Sequence, residues 1–400
     1  MSLNNVLVPS VVTCHAGARD NYQLALAFQE ISLLDTLVTD FYAPDYLRGI
    51  VKKRFHPNLS SKKVSWKCFD LINGPIFKRY PELGRDLSLR AAQVAIKHQS
   101  NLFVSSYTAD AAFDYVDLHG AKTKKYLFQL HPHPDTILNI LREEIDLGLV
   151  AADELSYEAE LNPVTYSTLS GEALKANWVC VASTFTKKSL IAAGVDAEKI
   201  HVIPYGVDHA AFVGPVKALR NGKLKILFCG QFIHRKGICY LHEALRNFNS
   251  QHYELRIVTR GECDKKSLAM FSKNLNVEIY SNISNRELKA LMNSSDIFIL
   301  PSLYEGFGHV ILEAMSAGLP VITTANTAGY DLITNDQDGF VGAIRDIDFL
   351  VEKIEFFIDR PIFAIEYGEQ AAMTARKYTW ESFRKKITDF YINTEKIDVE

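Results

Sequence analysis

The sequence predicts an α/β fold made of two doubly wound halves, and three observations support this prediction. Apolar runs typical of buried parallel strands alternate with segments typical of helices, and the alternation occurs twice. A turn-rich stretch, Pro204-Tyr205-Gly206-Val207-Asp208, separates the two series. The chain has 400 residues, which is too long for one ordinary domain and suits two of about 200.

The strands of both halves are predicted from short apolar runs. In the first half they fall at 6–13, 35–41, 102–105, 125–129, 178–182 and 201–203, with helices near 21–34, 85–97, 109–118, 136–146 and 184–193. In the second half strands are predicted at 224–229, 254–259, 277–280, 297–300 and 321–324.

Composition narrows the class of protein. Hydrophobic residues make up 48% of the chain and charged residues 23%, as in globular proteins. The formal net charge of -3 argues against a general nucleic-acid binder. The start, Met-Ser-Leu-Asn-Asn-Val, lacks the pattern of a signal peptide, so we expect a cytoplasmic protein. The six cysteines form no Cys-x-x-Cys pair, and we expect reduced thiols and no metal site.

The most informative segment runs from 296 to 324 and predicts a strand, a loop, a helix and a second strand. Glu305 and Glu313 bracket its glycine-rich turn, which includes Gly306 and Gly308. Such a loop lies at the carboxyl ends of the strands, where open α/β sheets bind ligands. Glu313 lies among apolar residues, and a buried carboxylate needs a partner. A ligand with several hydroxyls would supply one.

A second group of candidates follows the predicted strand 224–229. Gln231, Arg235 and Lys236 lie in the segment between this strand and the start of a helix. Cations at such a position suit a diphosphate, because they neutralise charge that grows as a bond to phosphate breaks. Arg235 and Lys236 are adjacent, so only one of them is expected to face a ligand directly.

Three candidates lie in the first half. Gly17 follows the opening strand and precedes a helix, where backbone amides can meet a phosphate or sugar. His131 lies two positions past the end of the predicted strand 125–129 and is well placed for a cleft, and His133 is its rival.

The segments from 228 to 237 and from 301 to 322 resemble the retaining glycosyltransferases of the large family four, also called glycosyl transferases group 1. The resemblance is strong over the second half of the chain and looser over the first. It implies the GT-B fold, in which two doubly wound Rossmann-like domains face each other across a cleft. It also implies an N-terminal acceptor-side domain at 1–205 and a nucleotide-sugar-binding domain at 206–379, with a final helix at 380–400 that crosses back to the first domain.

The resemblance implies a role for each candidate. Glu305 would contact the donor sugar, Glu313 the ribose and Lys236 the diphosphate, while His131 would orient the sugar. The family has a basic residue where this chain has Gln231, and Arg235 is the candidate replacement. Of the family's glycine pair only Gly17 is present. The donor-binding set is completed by Gly306, Phe307 and Gly308.

The implied activity is transfer of a sugar from a nucleotide diphosphate sugar to an acceptor hydroxyl, with retention of anomeric configuration and without a metal or cofactor. The acceptor would be a carbohydrate or a lipid-linked molecule, in polysaccharide or glycoconjugate synthesis. Two alternatives remain open. One is an epimerase or phosphorylase of the same fold, since fold does not fix function. The other is a non-catalytic sugar-nucleotide-binding or partner subunit, which stays open because Gln231 stands where a cation is expected.

Two further features receive simpler interpretations. Asp346 and Asp348 have the spacing of a metal-binding Asp-x-Asp, but a predicted helix follows, so helix capping is favoured. The region 48–79 is rich in Lys and Arg interleaved with aromatic residues. It predicts either a solvated face or peripheral contact with anionic lipid at the inner face of a membrane.

Overall fold

Two parallel β-sheets, each flanked by helices, form the fold. The computed structural model describes residues 8–43, 54–66, 80–107, 109–119, 122–150, 163–214, 217–219, 221–260 and 275–397. Within these ranges every pairing between strands is parallel. This arrangement confirms the predicted α/β class, because parallel strands need helical crossovers between them.

The first sheet has the strand order β3-β2-β1-β4-β5-β6-β7 among the described residues. The order reverses between β1 and β4, which is where open sheets leave a crevice at their carboxyl ends. The strands are β1 (Val11–Cys14), β2 (Leu34–Thr39), β3 (Val64–Trp66), β4 (Asn101–Ser105), β5 (Lys125–Gln129), β6 (Trp178–Val181) and β7 (Ile200–Val202).

The second sheet has the order β10-β9-β8-β11-β12-β13 in the described part of the chain, and its order reverses between β8 and β11. Each residue of β11 is buried, as expected for a parallel strand covered on both faces. The strands are β8 (Leu224–Cys229), β9 (Tyr253–Thr259), β10 (Val277–Ser281), β11 (Ile297–Leu300), β12 (Val321–Thr324) and β13 (Gly339–Gly342).

The helices connect these strands and cover the sheets. Within the described ranges they are α1 (Gln23–Glu30), α2 (Tyr80–His98), α3 (Asp110–Leu118), α4 (Pro134–Asp146), α5 (Pro163–Lys175), α6 (Thr184–Ala192), α7 (His209–Phe212), α8 (Ile238–Leu245), α9 (Asn285–Asn293), α10 (His309–Ser316), α11 (Gly329–Leu332), α12 (Ile347–Asp359), α13 (Ile362–Ala375) and α14 (Trp380–Ile397).

The predicted elements agree with the structure except at a few places. The helix predicted at 21–34 is wrong at both ends: three residues with left-handed backbone, Asp20, Asn21 and Tyr22, delay its start to Gln23, and Ser32, with φ 62, follows its end. The prediction missed β3, which has three residues, and β13, which begins and ends with glycine. It also missed α5, whose serines, threonines and glycine are weak helix formers.

Two stretches join the halves of the molecule. The Val207 amide donates to the Tyr378 carbonyl oxygen at 2.9 Å, so the linker runs beside the segment that precedes α14. The last helix, α14, packs on α1, where Arg384 bonds Glu30 at 2.8 Å. Its Tyr391 hydroxyl donates to the Pro9 carbonyl oxygen at 2.8 Å. These contacts attach the end of the chain to the first sheet; the boundary at residue 205 stays a prediction.

The basic region 48–79 lies largely outside the described residues. Within it, Arg54 pairs with Asp40 at 3.2 Å, whereas Lys62 and Lys63 are exposed. Membrane contact through this region stays a prediction. None of the helices in the described part of the chain has the length and apolar character needed to cross a membrane.

Asp346 caps a helix, as the sequence indicated. Its carboxylate accepts a hydrogen bond from the Phe349 amide at 2.8 Å, at the start of α12.

The described cysteines are free thiols: Cys14 and Cys180 are buried, and Cys229 and Cys239 are half-buried. Cys68 and Cys263 fall outside the described ranges.

Candidate functional site

Two cavities meet in the cleft between the sheets. The smaller cavity, of about 440 Å³, lies at the carboxyl end of the second sheet, against α10. The larger, of about 970 Å³, lies against the first sheet. Leu130, Glu305 and Gly306 line both cavities, so Glu305 lies at their junction.

Candidate residues from the second half surround the smaller cavity. Both reversals of strand order face the cleft, so loops from distant parts of the sequence reach this place. The lining includes Gln231, Lys236, Glu305, Gly306, Phe307, Gly308 and Glu313. These sequence candidates therefore lie together in the structure; their roles stay a prediction.

Two glycines allow the site loops to approach other backbone closely. A Cβ on Gly306 would lie 1.9 Å from the Leu130 carbonyl oxygen, at the end of β5 in the first sheet. A Cβ on Gly237 would lie 1.8 Å from the Pro301 carbonyl oxygen, and Gly237 has φ 70. Any larger residue would push these loops apart. The Gly306 carbonyl oxygen also accepts a hydrogen bond from the Ser183 hydroxyl at 2.7 Å, which fixes this loop to the first half.

Glu305 is buried and surrounded by cations. Its Oε1 accepts hydrogen bonds from Lys236 Nζ and, at 2.9 Å, from the Ser302 hydroxyl. The Arg235 guanidinium lies 3.6 Å from Oε2. Burial alone would raise the pKa of Glu305, but Lys236 and Arg235 hold it below its ordinary value. The carboxylate is therefore ionised at neutral pH.

Glu313 has the opposite surroundings. It lies in the second turn of α10 and lines the smaller cavity. Burial raises the pKa of its carboxyl group, and Arg260 offsets only part of this effect. Among the described residues, none donates a hydrogen bond to it within bonding distance. Its oxygens are therefore available to hydroxyl donors from a ligand.

Gln231 and Arg235 lie on different sides of the site. Gln231 is exposed and lines the smaller cavity, whereas Arg235 lines the larger one. The two side chains are 3.4 Å apart, with the guanidinium donating to Gln231 Oε1. The Arg235 guanidinium also lies 5.4 Å from the centre of the Tyr304 ring. Of Arg235 and Lys236, it is therefore Lys236 that lines the smaller cavity.

His131 and His133 have distinct positions. His131 lines the larger cavity beside Glu305, and its Nδ1 lies 2.8 Å from the Pro132 carbonyl oxygen. Because that oxygen only accepts, we assign the proton to Nδ1. His133 caps α4 instead: its Nδ1 accepts from the Asp135 amide at 3.2 Å. The geometry thus gives His133 a structural role and leaves His131 in the cleft.

Gly17 does not line either cavity. Its amide donates to Asp40 Oδ1 at 2.9 Å, so a carboxylate of the protein already occupies the position expected for a phosphate or sugar oxygen. The preceding residues, His15 and Ala16, line the larger cavity. The loop after β1 therefore reaches the cleft, but through other residues than the one the sequence indicated.

Two charged residues of the smaller cavity were missed by the sequence reasoning. Arg260 directly follows β9, and a cation after a strand end was the available signal. Asp20 carried no sequence signal, because its position depends on the left-handed backbone of 20–22. Its carboxylate lies 3.7 Å from His309 Nε2, across the cleft.

Among the described residues, no group of three or more His, Cys, Asp or Glu side chains is placed to hold a metal ion.

Residues 215–390 match the sequence model of the family described as glycosyl transferases group 1. This stretch contains β8 to β13 and the loops that carry Lys236, Glu305 and Glu313. This match confirms the resemblance found in the second half of the sequence.

Two curated proteins with similar sequences are named as glycosyltransferases. The chain is 29% identical over 147 residues to the capsular polysaccharide biosynthesis glycosyltransferase CapM of Staphylococcus aureus, covering 35% of this chain and 38% of that protein. It is 27% identical over 217 residues to the MMP alpha-(1->4)-mannosyltransferase of Mycolicibacterium hassiacum, covering 53% and 52%. The chain thus spans about half the length of the curated relatives it matches.

A solved structure establishes the fold over nearly the whole chain. HepE of Anabaena, solved in complex with UDP-glucose, superposes with a TM-score of 0.65 over 96% of this chain and 100% of that one, at 17% identity. At that identity the likeness concerns the fold alone. The protein has the GT-B fold, with two Rossmann-like sheets facing each other across a cleft.

Proposed function

We propose that this protein transfers a sugar from a nucleotide diphosphate sugar to an acceptor hydroxyl, with retention of anomeric configuration. The observation that supports this most is the position of Glu305 and its bound Lys236 at the junction of the two cavities. A sugar held at this junction would have its nucleotide in the smaller cavity. Its reacting carbon would face the larger one.

The donor would bind along the smaller cavity. Glu313 would accept hydrogen bonds from the ribose hydroxyls, and Lys236 would bind the diphosphate. Glu305, with the backbone from Gly306 to Gly308, would contact the sugar. UDP-sugars are the first donors to test, since HepE is solved with UDP-glucose.

The acceptor would enter through the larger cavity. Its walls combine the rings of Tyr107 and Tyr115 with the carboxylates of Asp110 and Asp114. Aromatic faces and carboxylates together suit a hydroxylated ligand with apolar faces, such as a carbohydrate. The acceptor class is therefore a carbohydrate or lipid-linked molecule, and the capsular relative favours polysaccharide or glycoconjugate synthesis. We place this activity in the cytoplasm, at the inner face of a membrane if the acceptor is lipid-linked.

The charges at the junction fit the transition state of such a transfer. Positive charge develops on the sugar as its bond to phosphate breaks, and negative charge develops on the leaving diphosphate. The ionised Glu305 would stabilise the sugar, while Lys236 would neutralise the leaving group. The leaving phosphate would take the acceptor proton. His131, on the larger-cavity side, would orient the sugar.

Thermal stabilisation by a panel of nucleotide sugars, with UDP-sugars first, tests the proposal. A true donor at 100 times its dissociation constant adds about 2.7 kcal/mol of stability. The stabilised protein is then incubated with that donor and candidate acceptors, and free nucleotide diphosphate is measured. Stabilisation without release of nucleotide diphosphate would support the non-catalytic alternative, and stabilisation by no nucleotide sugar would contradict the proposal.

A further inference from the structure

A buried carboxylate from the first half of the chain lies within a ring of donors from the second half. Glu144, at the end of α4, is 0% exposed. Its carboxylate accepts hydrogen bonds from His234 Nε2, from the Tyr240 hydroxyl at 2.7 Å and from Arg345 Nε at 2.5 Å. We call Glu144, His234, Tyr240 and Arg345 the Glu144 cluster. It joins the two halves at a place outside both cavities.

Arg345 makes further hydrogen bonds to α4. Besides Glu144, its guanidinium donates to Glu143 Oε2 at 2.7 Å and to the Ile140 carbonyl oxygen at 2.9 Å. Three acceptors on one helix therefore hold one arginine of the other half. A planar guanidinium that makes hydrogen bonds in three directions fixes the orientation of α4 relative to Arg345 as well as the distance between them.

His234 connects this cluster to the donor site. It begins the short 3-10 turn His234–Lys236, whose other two side chains, Arg235 and Lys236, both approach Glu305. The His234 ring is held on both sides, since Nδ1 lies 3.7 Å from Cys239 Sγ while Nε2 bonds Glu144. One turn of backbone thus links a contact with the first half to the cations of the smaller cavity.

The cluster is charged although its carboxylate is fully buried. Burial alone would lower the pKa of His234, but Cys239 and Glu144 raise it to about 10. Burial alone would raise the pKa of Glu144, but His234, Tyr240 and Arg345 hold it below its ordinary value. Removing one partner of such a pair leaves an uncompensated charge, so the neighbouring backbone would rearrange.

We infer that Glu144 is a positioning residue that sets the place of Lys236 in the donor site from the opposite half of the molecule. It acts through His234 and the turn His234–Lys236, without touching a substrate. Its effect on turnover rests on the proposed sugar transfer, whereas its effect on the turn does not. Because the acceptor cavity also lies on the first half, the same contact aligns the acceptor side with the donor cations.

The test uses Glu144→Gln and two matched controls. Glu143→Gln changes the adjacent carboxylate, which bonds Arg345 but not His234. Glu395→Gln changes another buried carboxylate, which bonds the Tyr126 hydroxyl and Lys124 far from the donor site. Hydrogen exchange is followed for the peptide that contains residues 231–240, including the Gly237 amide, which bonds the His234 carbonyl oxygen at 2.8 Å. Steady-state turnover is measured well below the melting temperature of each variant.

We expect faster exchange in that peptide for Glu144→Gln alone. Its turnover should fall by roughly a hundredfold, because a misplacement of about 1 Å at a reacting centre costs that much. Glu395→Gln should lower the melting temperature and keep its turnover. Unchanged exchange in Glu144→Gln, or faster exchange with unchanged turnover, would overturn the inference. If the wild-type protein transfers no sugar, the proposed function fails, and the exchange measurement still tests whether Glu144 holds the turn.

Discussion

Two carboxylates that line the smaller cavity have pKa shifts in opposite directions. Glu305 is held by Lys236, Arg235 and Ser302. For Glu313, Arg260 is the charge among the described residues that opposes the effect of burial. Both side chains come from the same strand, loop and helix unit, eight positions apart.

The difference concerns each carboxylate in the empty cavity. Glu305 is already neutralised by cations, so the sugar donor proposed above would have to share Lys236 with it. Glu313 keeps oxygens to which none of the described residues donates, and this costs free energy until hydroxyl donors reach them. A site of this kind gives up stability in the empty state for the sake of binding.

Removal of the Lys236 side chain should have the largest effect of the changes considered, and the effect should be on turnover. Lys236→Ala removes both the partner of Glu305 and the cation proposed for the leaving diphosphate, so turnover should fall by roughly a hundredfold or more. Steady-state rates measure it. Lys385→Ala, an exposed change on α14, is the control and should leave the rate unchanged. Wild-type turnover in Lys236→Ala would remove this residue from the site.

The affinity for free nucleotide diphosphate should distinguish the two glutamates, with a smaller change than that expected for Lys236→Ala. Glu313→Gln should weaken binding of free nucleotide diphosphate about tenfold or more, because hydrogen bonds to a charged group contribute about 1.5–3 kcal/mol. Glu305→Gln should keep that affinity, since no sugar is present, but should lose turnover. Calorimetric titration of the nucleotide diphosphate, alongside rates, makes the comparison. An equal loss of affinity in both variants would contradict this assignment of roles.

The smallest expected effect is on the free energy of unfolding, which should change in opposite directions in Glu305→Gln and Glu313→Gln. The pKa of Glu305 is lowered, so its carboxylate stabilises the fold above the ordinary pKa of 4.5 and loses this effect as pH falls through the folded value. The pKa of Glu313 is raised, so its ionised form costs stability at neutral pH, and the cost disappears as pH falls. At pH 7 without ligand, Glu305→Gln should lower the melting temperature and Glu313→Gln should raise it.

Scanning calorimetry or thermal-shift measurements at about pH 7 and about pH 5 check these signs. A change of 1 kcal/mol corresponds to about 2–4 °C for domains of this size. The advantage of Glu313→Gln over the wild type should shrink at the lower pH, because a carboxyl group with a raised pKa takes up a proton earlier than an ordinary one as pH falls. A lower melting temperature for Glu313→Gln at neutral pH would mean that Glu313 has a stabilising partner in the empty protein.

The sequence predicted the cleft residues from the second half of the chain better than those from the first half. Lys236 and Glu305 lie in loops that directly follow strongly apolar strands, and Glu313 lies in the helix that follows the second of these loops. Their position at the carboxyl end of the sheet could therefore be predicted from the sequence. Gly17 also follows a strand, but its amide is bonded to Asp40, which lies 23 positions away. The local pattern gives no information about which distant side chain fills a loop.

By itself the sequence determined the α/β class, the division into two series of strands, and the loops that carry the candidate residues. These features depend on local periodicity and on the burial of parallel strands, which neighbouring residues encode. The tertiary structure alone decided that Lys236 pairs with Glu305, 69 positions away, and that Glu144 meets His234, 90 positions away. Such pairs form because crossovers in parallel sheets bring remote strand ends to one edge, and close packing then selects which side chains touch.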